Sequence, residues 1–330
     1  MEVFSIIIPV YNRPEEIDDL LNSLTRQTYV HFEVIVVDDG SSIPCEPVVN
    51  AYNDRLRIRY FYIENSGPGL ARNQGVRYAE GEIVIVLDSD CIVPASYLEQ
   101  VHESLMRYKV DAFGGADRAH SSFSAIQKAV NYSMTSFFTT GGIRGSRRHL
   151  DTFYPRSFNM GMRKEVYEAL GGFSDMRYGE DIDFSIRIFK GGYKCRLFPG
   201  AWVYHKRRTD LKKFFKQVHN SGIARINLYK KYPESLKLVH LLPAAFTLGV
   251  ALLLVGGLFC PYSLLPLLFY ALLVCVDSAC CNHSLRIGVY SIAASFIQLI
   301  GYGTGFWRAW WQRCILKRGE FEAFQKNFYK

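Results

Sequence analysis

Carboxylates gather where apolar runs stop. "GEIVIVLDSDCIVP" (81–94) is a β-branched run that ends at Asp88 and Asp90, and "HFEVIVVDDGSS" ends at Asp38 and Asp39. Two acids one residue apart offer hard oxygen ligands, which suit Mg²⁺ or Mn²⁺ with coordination sites left for phosphate oxygens. A solvated turn is the other use for such acids. A third group, Glu180, Asp181 and Asp183 in "GEDIDF", opens a helical pattern. Acids there either cap a helix or accept protons from a substrate. Four residues separate Asp183 from Arg187, the spacing of a helical ion pair.

These residues need elements to position them. "FSIIIPV" (4–10) is continuously apolar, as in a strand buried on both faces of a parallel sheet. "RPEEIDDLLNSLTRQ" follows with Pro14 and acids in a first turn, then apolar residues at helical spacing. "LRIRYFYIEN" and "GEIVIVLDSD" read as further strands, with "GLARNQGVRYA" as a helix between them. Alternating strands and helices predict an open α/β sheet, whose ligands collect at the carboxyl ends of the strands. Residues 120–158 are poorly periodic, and "TTGGIRGSRRH" reads as a basic loop, a lid or acceptor-recognising segment.

The ordered set "SIIIPVYNR", "VIVVDDGSS", "GPGLARNQGVRYAEGEIVIVLDSD", "FNMGMRKEVYEALGGF" and "GEDIDFSIRIFKGGY" resembles the family-2 glycosyltransferases over residues 4–205. The resemblance implies an α/β fold of GT-A type: an open, mostly parallel sheet flanked by helices, here followed by C-terminal membrane helices. It also implies inverting transfer of a sugar from a nucleotide diphosphate donor, with Mg²⁺ or Mn²⁺ as cofactor. Asp90 is then the main metal ligand, completed by His205 in "AWVYH", and Asp88 faces the ribose or meets the ion through water. Pro9, Tyr11 and the pair Asp38 and Asp39 surround the base. Asp39 accepts from a base N–H, which suits uracil. Arg72 in "GLARN" reaches the diphosphate with its guanidinium fork. Asp181 is the base that deprotonates the acceptor, with Glu180 supporting it. The Gln-x-x-Arg-Trp element of processive, polymer-extruding relatives is missing before the apolar segments, which argues against that activity. A nucleotidyltransferase is disfavoured too, because "PVYNRPEE" is not a glycine-rich phosphate loop. A non-catalytic nucleotide-sugar-binding scaffold is the rival from another class.

The net charge of +8 does not point to nucleic acid. Basic residues cluster at 206–231 and 308–330, on either side of an apolar block, as on the cytoplasmic flanks of a membrane protein. Residues 241–259 and 263–281 are each long enough to cross a bilayer. The segment 287–307 is apolar but carries Ser291, Ser295, Gln298 and several glycines. Lys/Arg before the first segment and after the third point to both ends being cytoplasmic, so the expected arrangement is one spanning hairpin with the third segment lying in the interface or re-entering; three spans are the alternative. Residues 210–229 form an apolar stripe flanked by lysines, either an interfacial helix or a helix packed on its own domain.

Eight cysteines without metal-ligand spacing fit a reduced cytoplasmic setting, and the start of the chain reads as a strand rather than a signal peptide. The expected domains are 1–208 (catalytic), 209–235 (basic interfacial helix and linker), 236–307 (membrane) and 308–330 (basic aromatic tail). Removal of 236–330 should leave a soluble domain that binds nucleotide. The expected partners are a nucleotide-sugar donor, a lipid-linked or membrane-bound acceptor and the bilayer, with the catalytic domain on the cytoplasmic side of the inner membrane.

Overall fold

A computed structural model describes residues 3–120, 122–141 and 153–321. In chain order its elements are β1 (Phe4–Val10), α1 (Pro14–Leu24), β2 (Phe32–Asp39), α2 (Glu46–Asn50), β3 (Ile58–Ile63), α3 (Pro68–Arg77), β4 (Ile83–Leu87), β5 (Cys91–Ile92), α4 (Tyr97–Tyr108) and β6 (Ala112–Arg118). There follow α5 (Ala125–Thr135), α6 (Phe137–Thr140), β7 (Asn159–Arg163), α7 (Lys164–Ala169), α8 (Glu180–Lys190) and β8 (Cys195–His205). Four further helices close the series: α9 (Leu211–Lys231), α10 (Leu238–Gly257), α11 (Leu265–Asn282) and α12 (Leu285–Trp310).

Two compact units result, and they do not follow the order of the chain. Of the described residues, one comprises 3–118, 153–205 and 321; the other comprises 119–120, 122–141 and 206–320. The expected span 1–208 is continuous, whereas the first unit leaves out residues between β6 and β7. The described residues of the insertion between β6 and β7, 119–120 and 122–141, group with the C-terminal helices. Most of "TTGGIRGSRRH" lies outside the described residues.

The first unit is built on an eight-stranded sheet of order β3-β2-β1-β4-β7-β6-β8-β5. Its first half is parallel, as expected: β1 pairs with β2 and β4, and β2 with β3. Its second half is mixed, because β7 runs antiparallel to both β4 and β6. The β-branched runs are buried on both faces. Ile6, Ile8, Val34, Val36, Ile83 and Ile85 pack into one layer, while Ile7, Ile35, Val37, Val84 and Val86 pack into the opposite one. This two-sided burial accounts for the loss of polar alternation in these strands. A Cβ at Gly75 of α3 would collide with Ile7 and Val37, so that glycine sets how closely α3 lies on the sheet.

The second unit holds three helical stretches long and apolar enough to cross a membrane: Leu238–Gly257, Pro261–Asn282 and Leu285–Ile315. The expected hairpin accounts for the first two. The third, expected in the interface, also has the length to span. Its glycines prove to be packing positions. A Cβ at Gly301 would meet Val218, one at Gly305 would meet the His219 backbone, and one at Gly222 would meet the backbone of Tyr302 and Phe306. Small residues let α9 and α12 approach backbone to backbone, the usual device of helices packed in lipid. The apolar stripe of α9, with Phe214, Val218 and Ile226 buried, is therefore covered mainly within its own unit.

Candidate active site

Chemistry-bearing residues meet at the carboxyl ends of β1, β2, β4 and β8 and at the N-terminal ends of α3 and α8. The β5–β8 ladder does the first piece of positioning. It places Cys91 opposite His205, so the residue just before Cys91 is carried to the imidazole. His205 Nε2 lies 3.1 Å from Asp90 Oδ1, and its ring stacks on Phe158 with centroids 4.9 Å apart. On its other side, Nδ1 is 4.0 Å from Asp117 Oδ2 of β6. One ligand atom each from Asp90, Cys91 and His205 lie within 4.8 Å of one another. The Cys91 thiol donates to the Phe158 carbonyl at 3.5 Å, which leaves carboxylate and imidazole as the donor set. Oxygen with imidazole nitrogen fits Mn²⁺ well and Mg²⁺ acceptably.

Arg72 is the second centre. It is 3 % exposed, and its two terminal nitrogens divide between two acids: Nη2 donates to Asp88 Oδ1 at 2.7 Å and Nη1 to Glu180 Oε1 at 3.0 Å. Burial opposes its charge, but Asp88 and Glu180 more than offset this and raise its pKa. Arg72, expected to reach a diphosphate, here joins "LDSD" to "GEDID". A second guanidinium at this site is the half-buried Arg13, which sequence reasoning left without a role. Its Nη1 donates to Asp90 Oδ2 at 2.5 Å, with the side chain 30 % exposed.

At the start of α8, burial and then repulsion from Asp181 push the Glu180 carboxyl up to about 7, against the lowering effect of Arg72. Asp181 Oδ2 accepts from Arg156 Nη1 at 3.2 Å. Asp183 pairs with Arg187 at 2.9 Å, the helical contact expected from the spacing.

The residues expected around a base are placed less uniformly. Pro9 is buried inside β1 opposite Val37, and Tyr11 is half-buried just beyond the strand. Asp38 is wholly buried. Its Oδ1 accepts from the Ser41 N–H at 2.9 Å, and its Oδ2 from the Cys45 N–H at 3.2 Å and the Tyr60 hydroxyl at 2.9 Å. Asp39 accepts from the N–H groups of Ser66 at 2.7 Å and Gly67 at 2.9 Å, where α3 begins. Burial raises its pKa despite those bonds. Both acids hold loops in shape at the strand ends expected to surround a base.

Asn12 was also missed. It adopts a positive φ of 52°, and its Oδ1 accepts from the N–H groups of Ser42 at 2.8 Å and Ile43 at 3.1 Å. Its own N–H donates to Ser41 Oγ at 2.8 Å, so the loops after β1 and β2 are tied together. The adjacent residues "NR" after "PVY" were the available signal, since asparagine tolerates the left-handed region better than most residues.

Comparison with known proteins agrees with this architecture. Glycosyltransferase AglE of Haloferax volcanii is 30% identical over 245 residues, covering 70% of this chain and 78% of AglE. Poly(ribitol-phosphate) beta-N-acetylglucosaminyltransferase TarS of Staphylococcus aureus is 34% identical over 134 residues, covering 37% of this chain but only 23% of TarS. This chain therefore spans under a quarter of the TarS length. Among solved structures, the mannosyltransferase PcManGT of Pyrobaculum calidifontis, in complex with GDP-Man and Mn²⁺, matches with TM-score 0.63 at 20% identity over 90% of this chain and 87% of that one, a likeness of fold. The family model described as glycosyl transferase family 2 matches residues 5–171, half of the chain, and the chain belongs to that family.

Proposed function

We propose that the protein is a membrane-anchored inverting glycosyltransferase that moves a sugar from a nucleotide diphosphate donor, a UDP-sugar first, to a lipid-linked or membrane-bound acceptor. The observation that carries this reading is the convergence of Asp90 with His205 and of Arg72 with Asp88 and Glu180 at the same strand ends. Asp90 and His205 would hold a divalent ion, which when bound would supply Lewis-acid neutralisation of the leaving diphosphate. Asp88, 29 % exposed and oriented by Arg72, accepts from the ribose. Arg13 offers the diphosphate a second guanidinium fork beside Arg72. Tyr11 presents a ring for stacking the base, on loops that Asp38, Asp39 and Asn12 hold.

Asp181 takes the proton from the acceptor hydroxyl as that oxygen attacks the anomeric carbon, opposite the departing diphosphate. Glu180 supports it from the buried side. The three apolar helices support membrane attachment, which concentrates the enzyme beside a lipid-bound acceptor. The proposed location is the inner membrane with the catalytic unit in the cytoplasm, and the proposed process is assembly of envelope polysaccharide or glycolipid.

Purified full-length protein incubated with a panel of nucleotide sugars and Mn²⁺ or Mg²⁺ tests this by release of the nucleoside diphosphate. Release that survives both Asp181→Asn and Asp90→Ala would sink the assigned site. Nucleotide binding without turnover for any donor and acceptor pair would favour the scaffold reading instead.

A further inference from the structure

The insertion between β6 and β7 contains a stretch with no charged side chain from Ala129 to Thr140. We propose that this stretch is a re-entrant membrane element, which lies beside α11 and presents Phe137 and Phe138 to lipid acyl chains. The inference rests on the reading of α11 as a membrane span.

Two hydrogen bonds set the depth. The Tyr132 hydroxyl donates to Asp277 Oδ2 at 2.5 Å, and the Tyr270 hydroxyl donates to the Phe138 carbonyl at 3.3 Å. Tyr270 lies close to the middle of the apolar stretch Pro261–Asn282, and at 1.5 Å per residue it is about 18 Å from the Asn282 end. Asp277 is about two turns nearer that end. From Tyr132 to Phe138 the insertion therefore descends alongside α11 toward the centre of the apolar layer.

The polar groups of the stretch agree with that depth. Hydrocarbon leaves polar groups no water to bond, so they must be satisfied internally. The Ser133 hydroxyl donates to the Val130 carbonyl at 2.8 Å and the Thr139 hydroxyl to the Ser133 carbonyl at 2.6 Å. The Thr140 hydroxyl donates to the Ser136 carbonyl at 3.1 Å, and Ser136 Oγ accepts from the Phe138 N–H at 3.2 Å. Asp277, an acid within an apolar helix, is matched by Tyr132, as acids at such depth require. Ala129, Val130 and Met134 bury the other face of the insertion against Ile287 and Ala294 of α12. Phe137 and Phe138 are left outward, 55 % and 43 % exposed. Two adjacent exposed phenylalanines on an uncharged, internally satisfied turn beside an apolar helix fit acyl chains better than water.

The test places the photoreactive residue p-benzoyl-phenylalanine in the full-length chain, reconstituted in phosphatidylethanolamine–phosphatidylglycerol vesicles. The positions are Phe138, Phe269 on the exposed face of α11, and Met106 on α4 of the catalytic unit. Mass spectrometry after irradiation should give lipid adducts at 138 comparable to those at 269 and about tenfold above those at 106. Adducts high at 269 but at the Met106 level for position 138 overturn the re-entrant element and leave the membrane reading standing. Crosslinks from 138 to a second copy of the chain in place of lipid overturn it as well. Adducts at the Met106 level for both 138 and 269 bring down the membrane reading, and this inference with it.

Discussion

Asp90 and His205 are 115 positions apart in sequence, yet 3.1 Å separates their facing atoms, because a two-residue strand starting at Cys91 pairs with the last residues of β8. The candidate ion site is thus set by sheet register. We expect Asp90→Ala to remove metal-dependent diphosphate release, by about 1,000-fold or more. His205→Ala should weaken Mn²⁺ binding about 10- to 100-fold, read by titration in the presence of nucleotide. Equal losses from Asp88→Asn and Asp90→Ala in metal affinity would erase the proposed division of labour between the two acids.

Asp181→Asn removes a proton acceptor and keeps shape and size. Turnover should fall by about 100- to 10,000-fold while nucleotide affinity stays within a factor of about two. Single-turnover transfer and nucleotide titration separate the two effects. A loss confined to nucleotide affinity would move the base elsewhere.

Arg72 is buried between two acids, and its loss leaves them facing one another without a cation. Arg72→Met should destabilise the catalytic unit by about 3–5 kcal/mol. Arg72→Lys should recover only part of that, because one ammonium cannot fork to both Asp88 and Glu180. Denaturant unfolding in detergent measures both, and a neutral Arg72→Met would refute the hub.

Glu180 should make stability depend on pH. Its ordinary carboxyl value is 4.5 and its folded value is about 7, so across that window the folded chain holds a proton that the unfolded chain has released. Its contribution is full below about 4.5 and is lost as pH rises through 7. The melting temperature should therefore decline between pH 5 and 7, by on the order of 5 °C from this group. Glu180→Gln should flatten that decline. A steeper slope in the variant would contradict the shift.

Truncation at residue 235, expected from the sequence to give a soluble domain, should instead give a protein that aggregates without detergent. Ala129, Val130 and Met134 would lose Ile287 and Ala294, and the insertion would be left with an uncovered apolar face. Size-exclusion chromatography of the truncated chain settles the point. A monodisperse monomer in plain buffer would show that the insertion folds without its helical partners.

The parallel half of the sheet and the acids at its strand ends were legible because local pattern determines them. "FSIIIPV" and "GEIVIVL" can be little else than strands buried on both faces. The Asp183–Arg187 pair was likewise legible from helical spacing. The partners of Asp38, Asp39 and Arg72 were not, since a carboxylate at a strand end looks the same whether it faces a nucleotide or the N–H groups of Ser66 and Gly67. Arg13 and Asn12 were overlooked because a loop residue shows its role only once the neighbouring strands are in register. The glycines of α12 were taken as a weakening of its apolar character. Their role emerges only against Gly222 and His219 of another helix.

The insertion also imposes an order on synthesis. Residues 125–135 leave the ribosome roughly 150 residues before α12, whose surface they cover, which at about 5–20 residues per second is a delay of roughly 10–30 s. β6 must pair with β7 and β8 across a segment whose own partner does not yet exist. For that interval the nascent chain carries an apolar, uncharged stretch looking for cover, and either an early meeting with the lipid surface or a chaperone has to hold it. Biogenesis of the catalytic sheet is thereby coupled to the arrival of helices that contribute no residue to it.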